Sequence, residues 1–262
     1  MNSTTENVFL DFNKTHIVLI ADISGSMASM GNIPQTKLNE FIQEQTGNVT
    51  VDFWVFNDNY KKIFDNMTPR DVNIKSEDLA PCGGTALYSS LGNIIDNVGQ
   101  KIANMTDVKP GRIMVVVYTD GDENSSKNEY CGESGRLLVK SKIEHQQSIY
   151  NWMFLFLGSN IDAVNTGTSI GIARQTCINY NSSEGGYNQV FKSCSQAVDR
   201  FRNTDPSADR EEVLKKVAFT DVERVTSMCA DITIDPPNKR MRTSSSIAPP
   251  AMISQQPYCY YY

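Results

Sequence analysis

Residues 16–22 read HIVLIAD, a continuous apolar run that ends in the carboxylate of Asp22. A strand with one face in water alternates apolar and polar residues, whereas a continuous apolar run is typical of a parallel strand that is covered on both faces. Two later segments have the same character, because residues 113–120 read IMVVVYTD and residues 153–157 read MFLFL. These three runs predict the central strands of a mostly parallel sheet.

Shorter strand signals lie on either side of these runs. Residues 49–56, VTVDFWVF, lead through an Asn-Asp-Asn turn to a second segment at residues 60–64, which is typical of a β-hairpin. Late in the chain, residues 176–179 are the only further strand that the pattern predicts.

Helices are predicted between the strands. One begins near Pro34 and stops at Gly47, and a second begins near Thr85 with apolar residues three or four positions apart. A third surrounds Leu138, ahead of the strand that reads MFLFL. Strands that alternate with helices at this spacing predict an α/β fold whose open sheet is wrapped on both faces.

The last third of the chain is predicted to be helical and to end in a tail. Thr220 and Glu223 form a capping box that opens a short helix. From Pro236 onward the chain is rich in Pro and Ser and lacks apolar periodicity, so we expect residues 236–262 to be disordered. An earlier apolar stripe at helical spacing consists of Val190, Phe191, Cys194, Ala197, Val198 and Phe201.

The composition is that of a globular chain outside the membrane. With 262 residues and 40% hydrophobic residues, one domain or one domain with a small appendage is expected. The apolar runs are far shorter than the ~20 residues that span a bilayer. The first residues have neither a basic nor an apolar region of the kind found in secretory signals, and the six cysteines form no CxxC pair. We therefore expect an intracellular, cytoplasmic protein with reduced thiols.

The charge distribution disfavours nucleic acid as a partner of the main domain. Three basic residues and no acidic residue follow Asp235, which leaves 21 basic against 30 acidic residues before it and a net charge of -9. Such an acidic body does not attract a phosphate backbone. Lys239, Arg240 and Arg242 are read as a solvated part of the tail, with a nuclear import signal or a nucleic-acid patch as the alternatives.

Polar residues that suit a metal ion occur where the predicted strands end. Asp22 begins the segment Asp-Ile-Ser-Gly-Ser, which contains Ser24 and Ser26; Thr85 follows two glycines, and Asp120 ends the strand IMVVVYTD. Doubly wound sheets bind ligands at the carboxyl ends of their strands, so these three loops are expected to meet. Carboxylate and hydroxyl oxygens suit Mg²⁺ or Mn²⁺ and are too hard for Zn²⁺. Because the hydroxyls are neutral, the ion would retain an attraction for the Asp or Glu of a partner protein.

The spacing D-x-S-x-S, a Thr after glycines, and T-D-G resembles the metal-ion-dependent adhesion site (MIDAS) of von Willebrand factor type A domains. The segments PCGGTALYSSLG, YTDGDENSS and FLFLGSNIDAV resemble intracellular type A proteins of bacteria, phages and large viruses. The resemblance implies a Rossmann-like sheet with one antiparallel edge strand. It also implies a divalent cation that the serines bind directly and the aspartates often bind through water. By motif, the metal residues are Asp22, Ser24, Ser26, Thr85 and Asp120.

The resemblance also implies a domain organisation and a function. We expect an N-terminal arm at residues 1–13, a type A domain at 14–180, a helical extension packed on it at 181–235, and the tail at 236–262. The family consists mainly of protein-binding modules, so a cation-dependent adaptor is the favoured hypothesis and no enzymatic activity is expected. Two alternatives are a metal-dependent enzyme or enzyme subunit for phosphoryl transfer or hydrolysis, and a structural protein with a vestigial site.

Other motifs are rejected on their context. The acidic run after Asp120 lacks the Gly and the final Glu of an EF-hand loop. The G-x-S-x-G pattern that contains Ser169 follows helical residues and lacks the strand that a nucleophile elbow requires. The two histidines are read as a strand-end packing residue, His16, and a surface residue, His145. Cys82 is read as a small buried hydrophobe, with a reactive thiol near the metal as the alternative.

Overall fold

The computed structural model of the chain describes residues 9–229, in which six strands form one sheet. The strand order is β3-β2-β1-β4-β5-β6, and all neighbours pair in parallel except β2 and β3, which are antiparallel. The predicted fold class, a doubly wound and mostly parallel sheet with one antiparallel edge strand, is confirmed. The strands are β1 (Leu10–Asp22), β2 (Val49–Phe56), β3 (Tyr60–Met67), β4 (Lys109–Thr119), β5 (Met153–Gly158) and β6 (Cys177–Asn179).

Helices cover both faces of this sheet. One face packs against α1 and α5, and the other against α2 and α3. Among residues 9–229, no helix is long and apolar enough to cross a membrane. The helices are α1 (Ile33–Gln43), α2 (Leu87–Ala103), α3 (Gly132–Ile149), α4 (Ala163–Ser169), α5 (Glu184–Arg202), α6 (Arg210–Val217) and α7 (Asp221–Met228).

The continuous apolar run of β1 is explained by burial on both sides. Ile17 and Leu19 belong to the core cluster under α1 and α5, whereas Val18 and Ile20 belong to the cluster under α2 and α3. Each of these four side chains is at most 1% exposed. Since successive residues of a strand point to opposite faces, every position of the run must be apolar.

Two strands, β1 and β4, begin earlier than the apolar pattern predicts, and β4 begins at Lys109 rather than at Ile113. β1 begins at Leu10, where it pairs with Lys109 of β4, and this first part of the strand is largely exposed. Pairing with a neighbouring strand holds these polar residues in the sheet, and no local sequence pattern indicates that pairing.

The capping box of α7 is confirmed, because the Thr220 hydroxyl accepts from the Glu223 amide at 3.2 Å and the Glu223 carboxylate accepts from the Thr220 amide at 2.6 Å.

Several sequence predictions lie outside the described residues. These are the first eight residues of the N-terminal arm, the tail at residues 236–262, and the basic residues Lys239, Arg240 and Arg242.

Helix α5 shares the core of the sheet. Val190, Cys194 and Val198 are fully buried in the same cluster as the strand residues, and the ring of Phe191 lies 5.6 Å from that of Tyr118 on β4. The guanidinium of Arg112, also on β4, donates to the carbonyl oxygen of Phe201 in the last turn of α5 and to that of Thr204 just beyond the helix. The helical segment therefore gains its burial from the sheet.

We expect the sheet and the last helices to unfold together, since α5 alone buries too little apolar surface to be stable. Trp54 on β2 and Trp152, directly before β5, are buried, so their fluorescence reports unfolding of the sheet. Far-ultraviolet circular dichroism reports unfolding of the helices. The two probes should give the same urea midpoint. Two transitions in the circular dichroism signal, with the fluorescence following one of them alone, would show that residues 181–229 form a unit of their own.

Candidate metal site

The predicted site residues lie together at the carboxyl edge of the sheet. Asp22 is the last residue of β1, and Asp120 directly follows β4. These two strands are parallel neighbours in register, with Ala21 opposite Tyr118, so their ends coincide. The sheet order reverses between them, which is where doubly wound sheets form a crevice. Thr85 lies two residues before α2.

Hydrogen bonds connect the side-chain oxygens of the loop after β1 with that of Asp120, directly after β4. The Ser24 amide donates to Asp22 Oδ1 at 2.7 Å, and the hydroxyls of Ser24 and Ser26 are 3.1 Å apart. The Ser26 hydroxyl donates to Asp120 Oδ1 at 2.6 Å. A chain of polar contacts thus runs from β1 across to β4.

Thr85 reaches the same place from the loop before α2. A Cβ built on Gly121 would lie 2.8 Å from Thr85 Oγ1 and 3.7 Å from Ser26 Oγ, so both hydroxyls border Gly121. Gly83 and Gly84, which precede Thr85, form a segment that we call the glycine loop. This loop is held by a backbone contact, because the Gly25 amide donates to the Gly83 carbonyl at 3.0 Å. Gly83 has a φ of 76°, a conformation that side chains with a Cβ rarely adopt. The structure therefore brings all five predicted residues together.

Burial differs among the five. Asp22, Ser24, Thr85 and Asp120 are at most 5% exposed, whereas Ser26 is exposed. A cleft of about 230 Å³ also reaches Asp22 from the side of α1. The oxygens are thus shielded from bulk water but open to an approaching group at Ser26.

The two carboxylates carry an electrostatic cost. Burial raises the pKa of Asp22 from 3.8 to about 6; its hydrogen bonds with Thr119 and Ser24 oppose this rise, and the charge of Asp120 adds to it. Burial also raises the pKa of Asp120, against the hydrogen bond from Ser26. Within residues 9–229, neither carboxylate forms an ion pair with a basic side chain. Two buried acids without a counter-charge fit a bound cation, which would supply that charge.

The donor set determines which cation suits the site. In the part of the chain that the structure describes, no group of three or more His, Cys, Asp or Glu side chains could hold a metal ion. The candidate site has two carboxylates, and its other donors are hydroxyls, which are hard oxygen donors. It therefore suits a hard divalent cation that keeps several waters.

Thr119 is a site residue that the sequence analysis missed. Its hydroxyl donates to Asp22 Oδ2 at 2.6 Å and accepts from the Gly121 amide at 3.1 Å. It holds the carboxylate in place, as outer-shell partners of metal ligands do. The available signal was its position in the T-D-G segment, directly before Asp120.

Among the other singled-out residues, Cys82 departs from expectation. Its side chain is exposed rather than buried, because the glycine loop lies at the surface of the sheet edge. His145 is exposed on α3, as predicted, and Ser169 ends α4 rather than following a strand. His16 is fully buried and accepts or donates a hydrogen bond with Thr50 at 2.8 Å.

No family model and no curated protein matches the chain. Among solved structures, it resembles the ArnB paralog VWA2 from Sulfolobus acidocaldarius at 12% identity and a TM-score of 0.47 over 70% of this chain and 44% of that one. A von Willebrand factor type A protein from Catenulispora acidiphila matches at 15% identity and a TM-score of 0.47, over 70% and 42%. Proximal thread matrix protein 1 from the mussel byssus, with a zinc-occupied MIDAS motif, matches at 14% and 0.46, over 70% and 45%.

The chain thus spans less than half the length of each of these three proteins. Likenesses this distant leave its function open. The strand order and the antiparallel edge strand do establish the Rossmann-like α/β architecture that the resemblance to type A domains implies, and the carboxyl edge of that sheet carries the five predicted oxygen donors.

Proposed function

We propose that this chain is a protein-binding module that depends on a divalent cation, with Mg²⁺ or Mn²⁺ at a MIDAS formed by Asp22, Ser24, Ser26, Thr85 and Asp120. The observation that carries the proposal is a pair of buried carboxylates that have no basic partner among residues 9–229, with three hydroxyls beside them and an opening to solvent at Ser26. A cation there would neutralise the carboxylates. It would also present its remaining positive charge to a ligand, because the hydroxyls contribute no charge.

The partner group that this site suits is a carboxylate. Because Ser26 is exposed, a cation held by these residues would be accessible from solvent, and an Asp or Glu side chain of another protein could complete its coordination. We propose that the chain binds rather than catalyses, since neither histidine is a candidate base at the site. His16 lies six residues before Asp22 along β1, and His145 is exposed on α3.

Cation binding is tested by a matched pair of serine variants. Wild type should be stabilised against urea by Mg²⁺ or Mn²⁺, by about 2.7 kcal/mol at 100 times the dissociation constant. Ser26→Ala removes a predicted ligand and should lose most of this gain. Ser29→Ala is the control, because the exposed Ser29 hydroxyl donates to the Ser26 carbonyl at 3.3 Å and is not among the proposed ligands. Equal cation-induced stabilisation of both variants would exclude Ser26 as a ligand, and a larger effect of Zn²⁺ than of Mg²⁺ would contradict the hard-cation assignment.

Partner binding is tested by affinity capture on the same three proteins. A protein that wild type and Ser29→Ala retain in Mg²⁺ should be lost in EDTA and with Ser26→Ala. Substituting single Asp or Glu residues of the captured protein should then identify one carboxylate on which binding depends. If the captured protein stays bound in EDTA, the metal is not the docking point.

A further inference from the structure

The segment after Asp120 hydrogen-bonds to both the backbone amide and the backbone carbonyl of Thr85. The Thr85 amide donates to Asn124 Oδ1 at 2.9 Å, and the Asn124 amide donates back to the Thr85 carbonyl at 3.0 Å. The Ser125 amide also approaches that carbonyl, at 3.3 Å. Thr85 is therefore fastened to the loop that carries Asp120, although 39 residues separate Thr85 from Asn124.

Glu123 fastens the same loop to the start of α2. Its carboxylate accepts four hydrogen bonds, from the Tyr88 amide at 2.8 Å, the Ser125 amide at 3.0 Å, and the amide and hydroxyl of Ser126, both at 2.7 Å. Tyr88 lies in the first turn of α2, where backbone amides have no partner within the helix. A carboxylate at a helix N-terminus is also favoured by the helix dipole. Glu123 thus fixes the Asn124 backbone relative to the helix that follows Thr85.

Gly84, directly before Thr85, leaves the space that this contact needs because it has no side chain. A Cβ built on Gly84 would lie 2.8 Å from both Asn124 Oδ1 and Ser125 Oγ, closer than side chains pack. The absence of a side chain at Gly84 lets Asn124 reach the Thr85 amide. The Gly83 carbonyl and the Ala86 amide on either side are held by Gly25 and Asn57, and Asn124 is the residue that hydrogen-bonds to the backbone of Thr85 through both its side chain and its amide.

We infer that Asn124 is a positioning residue for the metal site, which holds the Thr85 hydroxyl at the distance from Asp120 that a shared cation requires, with Glu123 holding Asn124 in turn. This inference rests on the proposed function, because it assigns Asn124 a role only through the cation that Thr85 and Asp120 would share. Asn124 itself is not a ligand. Its effect passes through Thr85, as the effect of an outer-shell residue passes through the ligand that it orients.

The test is a double-mutant cycle on Mn²⁺ affinity, measured by electron paramagnetic resonance of free Mn²⁺ with the full-length chain. Asn124→Ala should weaken Mn²⁺ binding about tenfold, within the range that outer-shell residues show. In a Thr85→Ala background the same substitution should change affinity less than about twofold, because its effect requires Thr85. Asn124→Asp keeps an oxygen acceptor for the Thr85 amide and adds a negative charge, so this variant should bind Mn²⁺ at least as tightly as wild type.

Asn39→Ala is the matched control for a purely structural effect. Asn39 also clamps a loop from both sides, since it accepts from the Ile74 amide at 2.8 Å and donates to the Ile74 carbonyl at 2.9 Å, but it lies on α1 away from Thr85. It should lower the urea midpoint without changing Mn²⁺ affinity. If wild type binds no Mn²⁺, the proposed function fails. If wild type binds but Asn124→Ala binds equally well, or weakens binding equally in both backgrounds, only the positioning role is overturned.

Discussion

Replacing Asp22 by Asn should make the metal-free protein more stable, and should abolish stabilisation by Mg²⁺. The rise of the Asp22 pKa from 3.8 to about 6 means that the ionised carboxylate is held at a cost of about 3 kcal/mol in the absence of a cation. Asn is neutral and has the same shape. Its amide could donate to the Thr119 hydroxyl, which could in turn donate to the Gly121 carbonyl at 3.1 Å.

The pH dependence of this difference has a definite sign. A carboxyl group whose pKa is raised on folding contributes stability that is complete below about pH 4 and is lost as the pH rises through about 6. In EDTA, wild type and Asp22→Asn should therefore have similar free energies of unfolding at pH 4. At pH 8 the variant should be more stable by about 2–3 kcal/mol.

Urea unfolding between pH 4 and pH 8 measures this difference. Asp58→Asn is the control, because the exposed Asp58 carboxylate lies beside Gly83 but outside the proposed ligand set, so this variant should still be stabilised by Mg²⁺ as wild type is. Adding Mg²⁺ at pH 8 should stabilise wild type and leave Asp22→Asn unchanged. A variant that is less stable than wild type in EDTA at pH 8, or that still responds to Mg²⁺, would refute the assignment of Asp22.

Replacing Asp52 by Ala should destabilise the protein by about 3–5 kcal/mol, the cost of removing one partner from a buried ion pair. Asp52 is fully buried on β2, where it accepts from Lys101 Nζ and from the Asn66 amide of β3 at 2.7 Å. His16 Nε2 lies 3.4 Å from the same carboxylate. Burial alone would favour the neutral acid, but these contacts with His16 and Lys101 hold the pKa of Asp52 well below its usual range.

Asp65→Ala is the matched control for Asp52. Asp65 also contacts Lys101, at 3.2 Å, but its side chain is 53% exposed, so its removal should cost less than about 1 kcal/mol. Because the Asp52 pKa is lowered on folding, its contribution is present above the unfolded pKa of about 4 and is lost in acid. The difference between the two variants in urea at pH 7 should therefore shrink as the pH approaches 3. A loss below about 1 kcal/mol for Asp52→Ala at pH 7 would show that the pair is not a stabilising contact.

The residue pattern was sufficient for the central strands and for the five candidate ligands. A run such as HIVLIAD must be buried on both faces, so it can be recognised without knowing its neighbours. The ends of parallel strands share one edge, which is why Asp22 and Asp120 could be expected to meet. The same reasoning did not extend to the first part of β1, whose polar residues are held by pairing with β4 rather than by burial.

The sequence by itself therefore determined the class of sheet and the edge at which the five candidate donors meet, because these depend on periodicity and on the order of residues along the chain. Only the tertiary structure decided which hydrogen bonds hold the donor side chains and how burial shifts the pKa values of the carboxyl groups. The contacts of Thr119 with Asp22, of Asn124 with Thr85, and of His16 and Lys101 with Asp52 join residues 36 to 97 positions apart. The raised pKa of Asp22 likewise depends on the depth of its burial. Hydrogen-bond geometry and desolvation arise from distances between remote segments, and a linear pattern of residue types does not contain those distances.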